Sequence, residues 1–378
     1  MERLLNAELH KFTQMLIQNI IKNLETLAPP VLQESYDNAG LIVGNAAWEC
    51  SGVLVCLDAL PAVIDEAIER QCNLVVAHHP IVFKGLKKIN GKNYVEETIV
   101  KAIKNDVAIY AIHTNLDNIQ NGVNAKIASM LGLQNTKILA PKTGMLQKLV
   151  VFVPISHKET VQDALFAAGA GEIGNYSECS FVLEGEGSFK PGNEAKPFTG
   201  EAGKRSVEKE VRLEVIFESW KKQNILAAMK GSHPYEEVAY YLSALENEFL
   251  ETGSGMVGEL RQPMKEMELL EKLRSTFGAR MVRHTELLGK PVQKVAVCGG
   301  AGIFLLPNAI SSGADVYVTA DVKYHEFFDA DGRILLADIG HYESEQFTTD
   351  LLVDHLRQNF LNFAVLKTGL NTNPVRYL

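Results

Sequence analysis

Apolar residues recur along the chain with two different periods, and each period predicts a different kind of element. Residues 16–27 carry leucine and isoleucine at helical spacing and are followed by two prolines, which end the helix. After them, short and continuously apolar runs alternate with amphipathic stretches, as in the run 53–57, the stretch 61–71 and the run 74–77. Apolar strands that alternate with helices are typical of a largely parallel sheet covered on both faces.

The pattern changes in the middle of the chain and later returns. There, apolar and polar positions alternate more regularly in three strand-like segments, with helical patterns at 157–168 and 220–230. We therefore expect a three-layer α/β/α domain with a mainly parallel or mixed sheet, built from residues 1–145 and 253–378. An α+β domain over residues 146–252 is inserted into it. Insertion of a domain at an exposed loop is well tolerated.

Composition and charge exclude several classes of function. The formal net charge of -9 argues against a general nucleic-acid binder, because no basic excess is present to displace counterions from phosphates. The five cysteines include no C-x-x-C pair, which fits a reducing compartment and argues against thiolate zinc sites. No signal peptide and no apolar run long enough to span a bilayer is evident. We expect a cytoplasmic protein without membrane association.

Histidine and carboxylate residues follow four of the apolar runs at the point where each run ends. In chain order they are His78 and His79, then His113 and Asp117, then Asp321, Lys323 and His325, and finally Asp338, His341 and Glu345. Ligands in open α/β sheets bind at the carboxyl ends of the strands. We therefore expect these side chains to meet at one edge of the predicted sheet.

Five of these residues, His78, His79, Asp117, His341 and Glu345, have the composition of a metal centre. Three imidazoles and two carboxylates exceed the three protein ligands of one open zinc site, and they suit two ions that share a carboxylate. We predict two divalent metal ions per chain, with zinc first and iron, manganese or cobalt as alternatives. Any one of these histidines alone would more often be structural, but their joint occurrence at four strand ends favours metal binding.

Five segments, ESYDNAGLIVG, VVAHHP, IHTNLD, TADVKYH and DIGHYESE, resemble the family of GTP cyclohydrolase 1 type 2 homologues, also called NIF-three-like proteins. The resemblance covers nearly the whole chain, although about residues 1–11 have no counterpart in it. It implies a dinuclear metal site on the same five residues. It also implies a toroidal homohexamer whose metal sites face an inner cavity.

The segment SHPYEEVAYYL, residues 232–242, is similar to a segment of CutA-like and PII-like domains. This similarity implies a ferredoxin-like fold for the inserted domain. His233, Tyr235 and Glu236 either begin and pack a helix, or belong to a small-ligand site, a regulatory site or an oligomer contact. The glycines of CGGAG, residues 298–302, form a mere turn or allow the backbone to approach the metals closely.

Two functions from different classes remain open at this point. The first is a metal-dependent hydrolase acting on a nucleotide or phosphoester, and the family name implies opening of the GTP ring. In that reading His325, oriented by Asp321, acts as general acid or base, His113 orients a neighbouring group and Lys323 binds an anion. The second is a non-enzymatic, metal-binding regulatory assembly in which the inserted domain senses a ligand.

Overall fold

The structure, a computed structural model, describes residues 15–378, so the N-terminal segment 1–11 lies outside the described residues. The chain divides into two compact units. The first comprises the described residues up to Pro141 together with Leu250–Leu378, and the second comprises Lys142–Phe249. Within residues 15–378, no helix combines the length and apolar character needed to cross a membrane.

The strands of the described chain, in order, are β1 (Gly40–Val43), β2 (Val53–Asp58), β3 (Leu74–His79), β4 (Ala108–Ala111), β5 (Leu133–Lys142), β6 (Leu146–Pro154), β7 (Ser180–Phe189), β8 (Ser206–Glu218), β9 (Tyr240–Leu245), β10 (Phe249–Lys265), β11 (Arg283–His284), β12 (Pro291–Val297), β13 (Val316–Thr319), β14 (Leu335–Asp338) and β15 (Val365–Lys367). The α-helices are α1 (Ile17–Leu27), α2 (Pro61–Glu69), α3 (Tyr94–Lys104), α4 (Thr114–Asp117), α5 (Val123–Leu131), α6 (Lys158–Ala167), α7 (Lys222–Ser232), α8 (Glu266–Phe277), α9 (Leu306–Ser311), α10 (His341–Glu345) and α11 (Thr348–Asn359).

A five-stranded sheet forms the first half of the first unit, with strand order β1-β4-β3-β2-β15. All neighbouring pairs are parallel except β1 with β4. Helices α2 and α3 pack on one face, where Ile64 and Ile99 share a buried cluster with Val75. Helix α11 packs against β2 and β15. Because these strands are buried on both faces, they carry the continuously apolar runs that predicted them.

A second, six-stranded sheet in this unit has the order β11-β14-β13-β12-β10-β5. Strands β12, β13 and β14 are parallel, whereas β10 pairs antiparallel with β12. The prediction of an α/β fold with mixed sheet is confirmed, but the strands form two sheets where the sequence suggested one. Periodicity identifies strands but does not specify which strands pair, and the antiparallel β10 joins β5 to the C-terminal strands.

The second unit has the element order β6-α6-β7-β8-α7-β9 and a four-stranded antiparallel sheet of order β7-β8-β6-β9. This is the predicted ferredoxin-like α+β arrangement. Its core lies between the sheet and the two helices, where Val151 and Leu213 pack with Leu165 and Ile225. Of the two alternatives for the segment that begins at Ser232, the helix start does not occur, because His233 caps the end of α7.

Candidate metal centre

The parallel strands of both sheets in the first unit end in polar residues. In the first sheet, β2 ends in Asp58 and β3 in His78 and His79, while His113 follows β4. In the second sheet, His341 begins helix α10 shortly after β14 ends. The predicted meeting of strand-end side chains therefore occurs, but it draws on two sheets.

His79, His341 and Glu345 form a compact group of donor atoms. Glu345 Oε2 lies 3.0 Å from His79 Nε2 and 3.0 Å from His341 Nε2, and the two nitrogens are 3.4 Å apart. Helix α10 places His341 and Glu345 one turn apart on the same face. Three such atoms within a few ångströms could hold a metal ion.

A second set of donors adjoins the first on the side of His78. His78 Nε2 lies 3.7 Å from Asp117 Oδ1 and 3.9 Å from Glu345 Oε2. Both His78 Nε2 and Asp117 Oδ1 are buried and have no hydrogen-bond partner in the described chain. Unpartnered buried polar atoms are costly, so this pair fits a cation that would bind both. His113 offers a further nitrogen close to those of His78 and His79.

The four histidines of the centre each form a hydrogen bond through Nδ1. Their Nε2 atoms therefore stay free to bind a metal ion. The acceptors of the Nδ1 protons are Ile112 O for His78 at 2.9 Å, Asp58 Oδ1 for His79 at 2.8 Å, Asp37 Oδ1 for His113 at 2.8 Å and Asp321 Oδ2 for His341 at 2.7 Å. An acceptor at one ring nitrogen fixes the tautomer and leaves the other nitrogen as a lone-pair donor. This arrangement is typical of metal-ligating histidines.

Neighbouring carboxylates raise the pKa values of His341 and His79. Burial alone would lower the pKa of His341, but the charge of Glu345 and the hydrogen bond to Asp321 raise it to about 11. Burial likewise opposes protonation of His79, and its hydrogen bonds to Asp58 and Glu345 raise its pKa to about 9. Protons therefore neutralise the carboxylates when no metal is bound, and a divalent cation would compete with those protons.

The pKa of His78 shifts in the opposite direction. Burial lowers the pKa of His78 to about 3, so this imidazole is neutral at physiological pH. Burial and the neighbouring charge of Glu345 raise the pKa of Asp117 well above its ordinary value, whereas His341 and His79 hold the pKa of Glu345 low despite its burial. A neutral imidazole and a carboxylate that lacks a cation are the groups that metal binding would satisfy.

Gly300, in the CGGAG segment after β12, lies directly against the donor atoms. Its φ is +59°, and a Cβ at this position would collide with Glu345 Oε1 and crowd His341. Its backbone N–H donates to Ser344 Oγ at 3.0 Å, which ties the loop to helix α10. The sequence left open whether these glycines form a mere turn or let the backbone approach the metals. At Gly300 the backbone lies close to the donor atoms.

The structure places His325 and Lys323 outside the lining of this centre, and their assignment as catalytic residues stays a prediction. Asp321 has a φ of +56° and accepts from His341, so the expected Asp321–His325 pair does not form. Residues Tyr324–Ala330 form a 3-10 helix on which His325 is exposed, and Lys323 points to Glu326. Neither residue lines the cavity around the donors, whereas His113 does.

Sequence reasoning missed two carboxylates that orient the histidines, Asp58 and Asp37. Asp58 ends the apolar run of β2, so the signal that identified His78 and His79 applied to it as well. Asp37 lies in a turn-rich segment and accepts from His113 and from the backbone N–H and hydroxyl of Thr114. These bonds lower the pKa of Asp37 to about 2 in spite of its burial, so it stays ionised.

A cavity of about 1050 Å³ opens onto the donor atoms, with all of its lining in the first unit. Exposed aromatic side chains stand at its wall, namely Tyr36, Phe83, Tyr94 and Phe304. The carboxylates of the lining are Glu34, Asp58, Asp117, Asp321, Asp338, Glu343 and Glu345. Arg283 also lines the cavity, but it forms an ion pair with Asp338.

The two mixed sheets and the histidine-carboxylate group define an α/β protein with a site able to hold metal. Residues 15–374 match the family model of Duf34/NIF3 (NGG1p interacting factor 3). The chain belongs to this family, which confirms the resemblance seen in the sequence.

Relatives and solved structures agree with this membership over almost the full length. A Bacillus subtilis protein named GTP cyclohydrolase 1 type 2 homolog is 41% identical over 369 residues, covering 96% of this chain and 98% of that protein. The crystal structure of a Bacillus cereus protein related to NIF3 is 38% identical with a TM-score of 0.84, covering 97% of this chain and all of that one. A Staphylococcus aureus protein is 28% identical with a TM-score of 0.78, again over 97% of this chain and all of the other.

Proposed function

We propose that this protein binds two divalent metal ions and hydrolyses a nucleotide or another phosphoester. The observation that carries the proposal is the position of Glu345 Oε2, which lies 3.0 Å from His79 and His341 and 3.9 Å from His78. One ion would take His79, His341 and Glu345, and the other His78, Asp117 and Glu345, with His113 adjacent. The nitrogen and oxygen donors fit zinc, which is our first choice, and they also fit iron, manganese and cobalt.

Bound divalent ions would supply an activated water at neutral pH and neutralise charge on the group under attack. The residues of the chain contribute orientation and proton handling. Asp58, Asp321 and Asp37 hold the imidazoles of His79, His341 and His113 with Nδ1 protonated. The other ring nitrogen of His113 would accept a proton from water in the cavity, since Asp37 stabilises the resulting imidazolium.

The cavity supports a substrate with a flat ring and an anionic group. Its volume of about 1050 Å³ suffices for a nucleotide, and Tyr36 and Phe83 offer exposed ring faces on which a base would stack. Arg283 and the protonated His79 and His341 offset only part of the charge of the seven carboxylates in the lining, and the remaining negative charge would repel a phosphate until cations neutralise it. Metal loading would therefore precede binding of an anionic substrate.

The proposal is tested by metal analysis combined with a turnover screen. Metals are quantified in the purified protein, and GTP, other nucleotides and bis(p-nitrophenyl) phosphate are screened with and without chelator. We expect bound metal, turnover that is lost on chelation and restored by zinc, and in His78→Ala a lower metal content together with loss of turnover. His284→Ala is the matched control, because His284 is exposed and does not line the cavity. Absence of metal after purification and reconstitution would refute the proposal.

A metal-binding regulatory assembly is the second candidate, and the second unit provides the observation that favours it. This unit has a cavity of its own, of about 770 Å³. Stoichiometric metal without turnover on any substrate would favour this candidate over the hydrolase. For either function we propose a homohexamer in the cytoplasm, which light scattering on the purified protein and fractionation of cells would test.

A further inference from the structure

The cavity of the second unit is lined by the SHPYEE segment that the metal centre leaves unexplained. Tyr235, Glu236 and Glu237 of this segment form part of the wall, together with residues of β7, β8 and the loop between them. His233 lies beneath the segment, where its Nε2 is 2.9 Å from Phe152 O and its Nδ1 accepts from Tyr235 N–H at 3.1 Å. The histidine thus fixes the backbone that presents Tyr235.

Glu210 is a buried carboxylate in this wall. Its residue is only 7% exposed, and its Oε1 accepts a hydrogen bond from the Tyr235 hydroxyl at 2.9 Å. Its Oε2 has no hydrogen bond in the described chain, and no lysine or arginine forms an ion pair with Glu210 there. A mostly buried carboxylate gains from a cationic partner, so this oxygen favours a ligand of positive charge.

Two further aromatic rings of the wall lie beside Tyr235, whose hydroxyl donates to this carboxylate. The ring of Tyr235 lies 6.2 Å from that of Phe189 and 6.1 Å from that of Phe198, and all three residues line the cavity. The faces of aromatic rings attract cations, and several rings around one point are a recognised binding site for organic ammonium groups. The rings thus favour the same sign of charge as Glu210.

The charge of the wall is acidic overall. Its ionisable residues are five glutamates, Glu184, Glu186, Glu210, Glu236 and Glu237, against Lys190 and Arg212. The charge of Arg212 is already compensated, because Glu214 pairs with it at 2.8 Å. The remaining carboxylates would attract a ligand that carries more than one positive charge.

We propose that the second unit binds a primary alkylammonium ligand of the polyamine class, with one ammonium group at Glu210 and within the ring cluster of Phe189, Phe198 and Tyr235. An ammonium N–H can donate to the free Oε2 of Glu210, which a quaternary ammonium cannot do. Calcium or magnesium would require several oxygen ligands at the same point, whereas the cluster around Tyr235, the partner of Glu210, consists of aromatic rings. The volume of about 770 Å³ accommodates a linear polyamine.

The test is calorimetric titration of the full-length, metal-loaded protein with spermidine at physiological salt. We expect saturable binding that choline and Mg²⁺ reproduce only weakly. Glu210→Gln should weaken the binding of spermidine by about tenfold or more, because it removes the buried charge. Phe198→Ala, at an exposed ring, should weaken it without affecting the fold. Glu246→Gln is the control, since Glu246 is exposed and outside the cavity.

Three results would overturn the proposal. The first is an absence of saturable spermidine binding at millimolar concentration. The second is binding that Glu210→Gln and Phe198→Ala leave unchanged, which would place the polyamine elsewhere. The third is saturable binding of Mg²⁺ and not of spermidine, which would make the site a metal site. Because Phe198 lies at the surface, a folding defect of Glu210→Gln would still leave one decisive variant.

Discussion

Asp58 and His79 are register partners at the ends of the neighbouring parallel strands β2 and β3, and His79 Nδ1 donates to Asp58 Oδ1 at 2.8 Å. Thr372 Oγ1 donates to the other carboxylate oxygen at 2.6 Å, so Asp58 is itself held in place. These bonds lower the pKa of Asp58 although its burial opposes ionisation. The sheet register therefore sets the tautomer of a histidine in the candidate metal centre.

Asp58→Asn should weaken metal binding while the fold persists. The amide can still occupy the site but does not stabilise the Nδ1 proton of His79, and changes of this kind cost roughly 10–100-fold in metal affinity. The affinity is measured by competition with a chromophoric chelator. Asp65→Asn is the control, since Asp65 is exposed and pairs with Lys101 on the surface. Equal affinities of the two variants would remove Asp58 from the metal site.

Glu345→Gln should lose both ions, because Glu345 Oε2 adjoins both sets of donors. The unmodified protein should hold about two ions per chain. Asp117→Asn and His341→Ala each change one set of donors, so these variants should retain more metal than Glu345→Gln. Elemental analysis of dialysed protein gives the ratio. Glu286→Gln, at an exposed position, is the control. If Glu345→Gln kept one full equivalent, the two ions would not share this carboxylate.

Gly300→Ala should abolish metal binding by displacing Glu345. Gly313→Ala is a matched control, because Gly313 also has a positive φ, +74°, but no atom lies within 4 Å of the added Cβ. A non-glycine residue in this backbone region costs about 1 kcal/mol, so both variants should unfold slightly earlier in urea. Only Gly300→Ala should lose metal. Parallel loss in both variants would indicate a general effect of backbone strain.

Metal uptake should release protons near neutral pH. In the metal-free protein, the pKa of His79 is raised to about 9 and that of His341 to about 11, so both imidazoles are protonated at pH 7.5. Binding requires neutral imidazoles, and the apparent affinity should therefore rise with pH and rise less steeply above about pH 9. Calorimetry in buffers of different ionisation enthalpy counts the released protons. Uptake without proton release would contradict the proposed roles of His79 and His341.

The inserted unit should be removable without loss of the metal centre, provided that the cut respects β10. A join of residues 145 and 254 would discard residues 251–253, yet Gln120 N–H donates to Glu251 O and Gly253 N–H to Asn118 O. A join of 142 to 249 by a short linker keeps these bonds, and Gly253 lies against Ala140 in the neighbouring strand β5. We expect the second join, and not the first, to give folded protein with full metal content.

The sequence predicted most of the site because ligands in α/β folds occupy strand ends, and strand ends can be seen as breaks in apolar runs. His78, His79, Asp117, His341 and Glu345 were all found in this way, and the structure brings their donor atoms together. The roles of these residues in binding metal stay a prediction. Asp58 follows the same rule, because it ends the apolar run of β2.

The errors concern relationships between elements that no local pattern encodes. Asp321 and His325 were expected to share a helix face, but the 3-10 helix begins only at Tyr324. Asp321, with a positive φ, precedes it and accepts from His341, and His325 is exposed. The division of one predicted sheet into two has the same origin, because strand pairing depends on contacts between distant segments. Burial of the donor atoms follows from that pairing.

Translation makes the two halves of the centre available at different times. His78, His79 and His113 belong to the first sheet and are synthesised before the second unit, whereas His341 and Glu345 come near the end of this 378-residue sequence. The three early histidines form a possible nitrogen-only group by themselves. The position that requires Glu345 would fill only after these later residues had been made, so assembly of the complete centre would follow synthesis of the second unit.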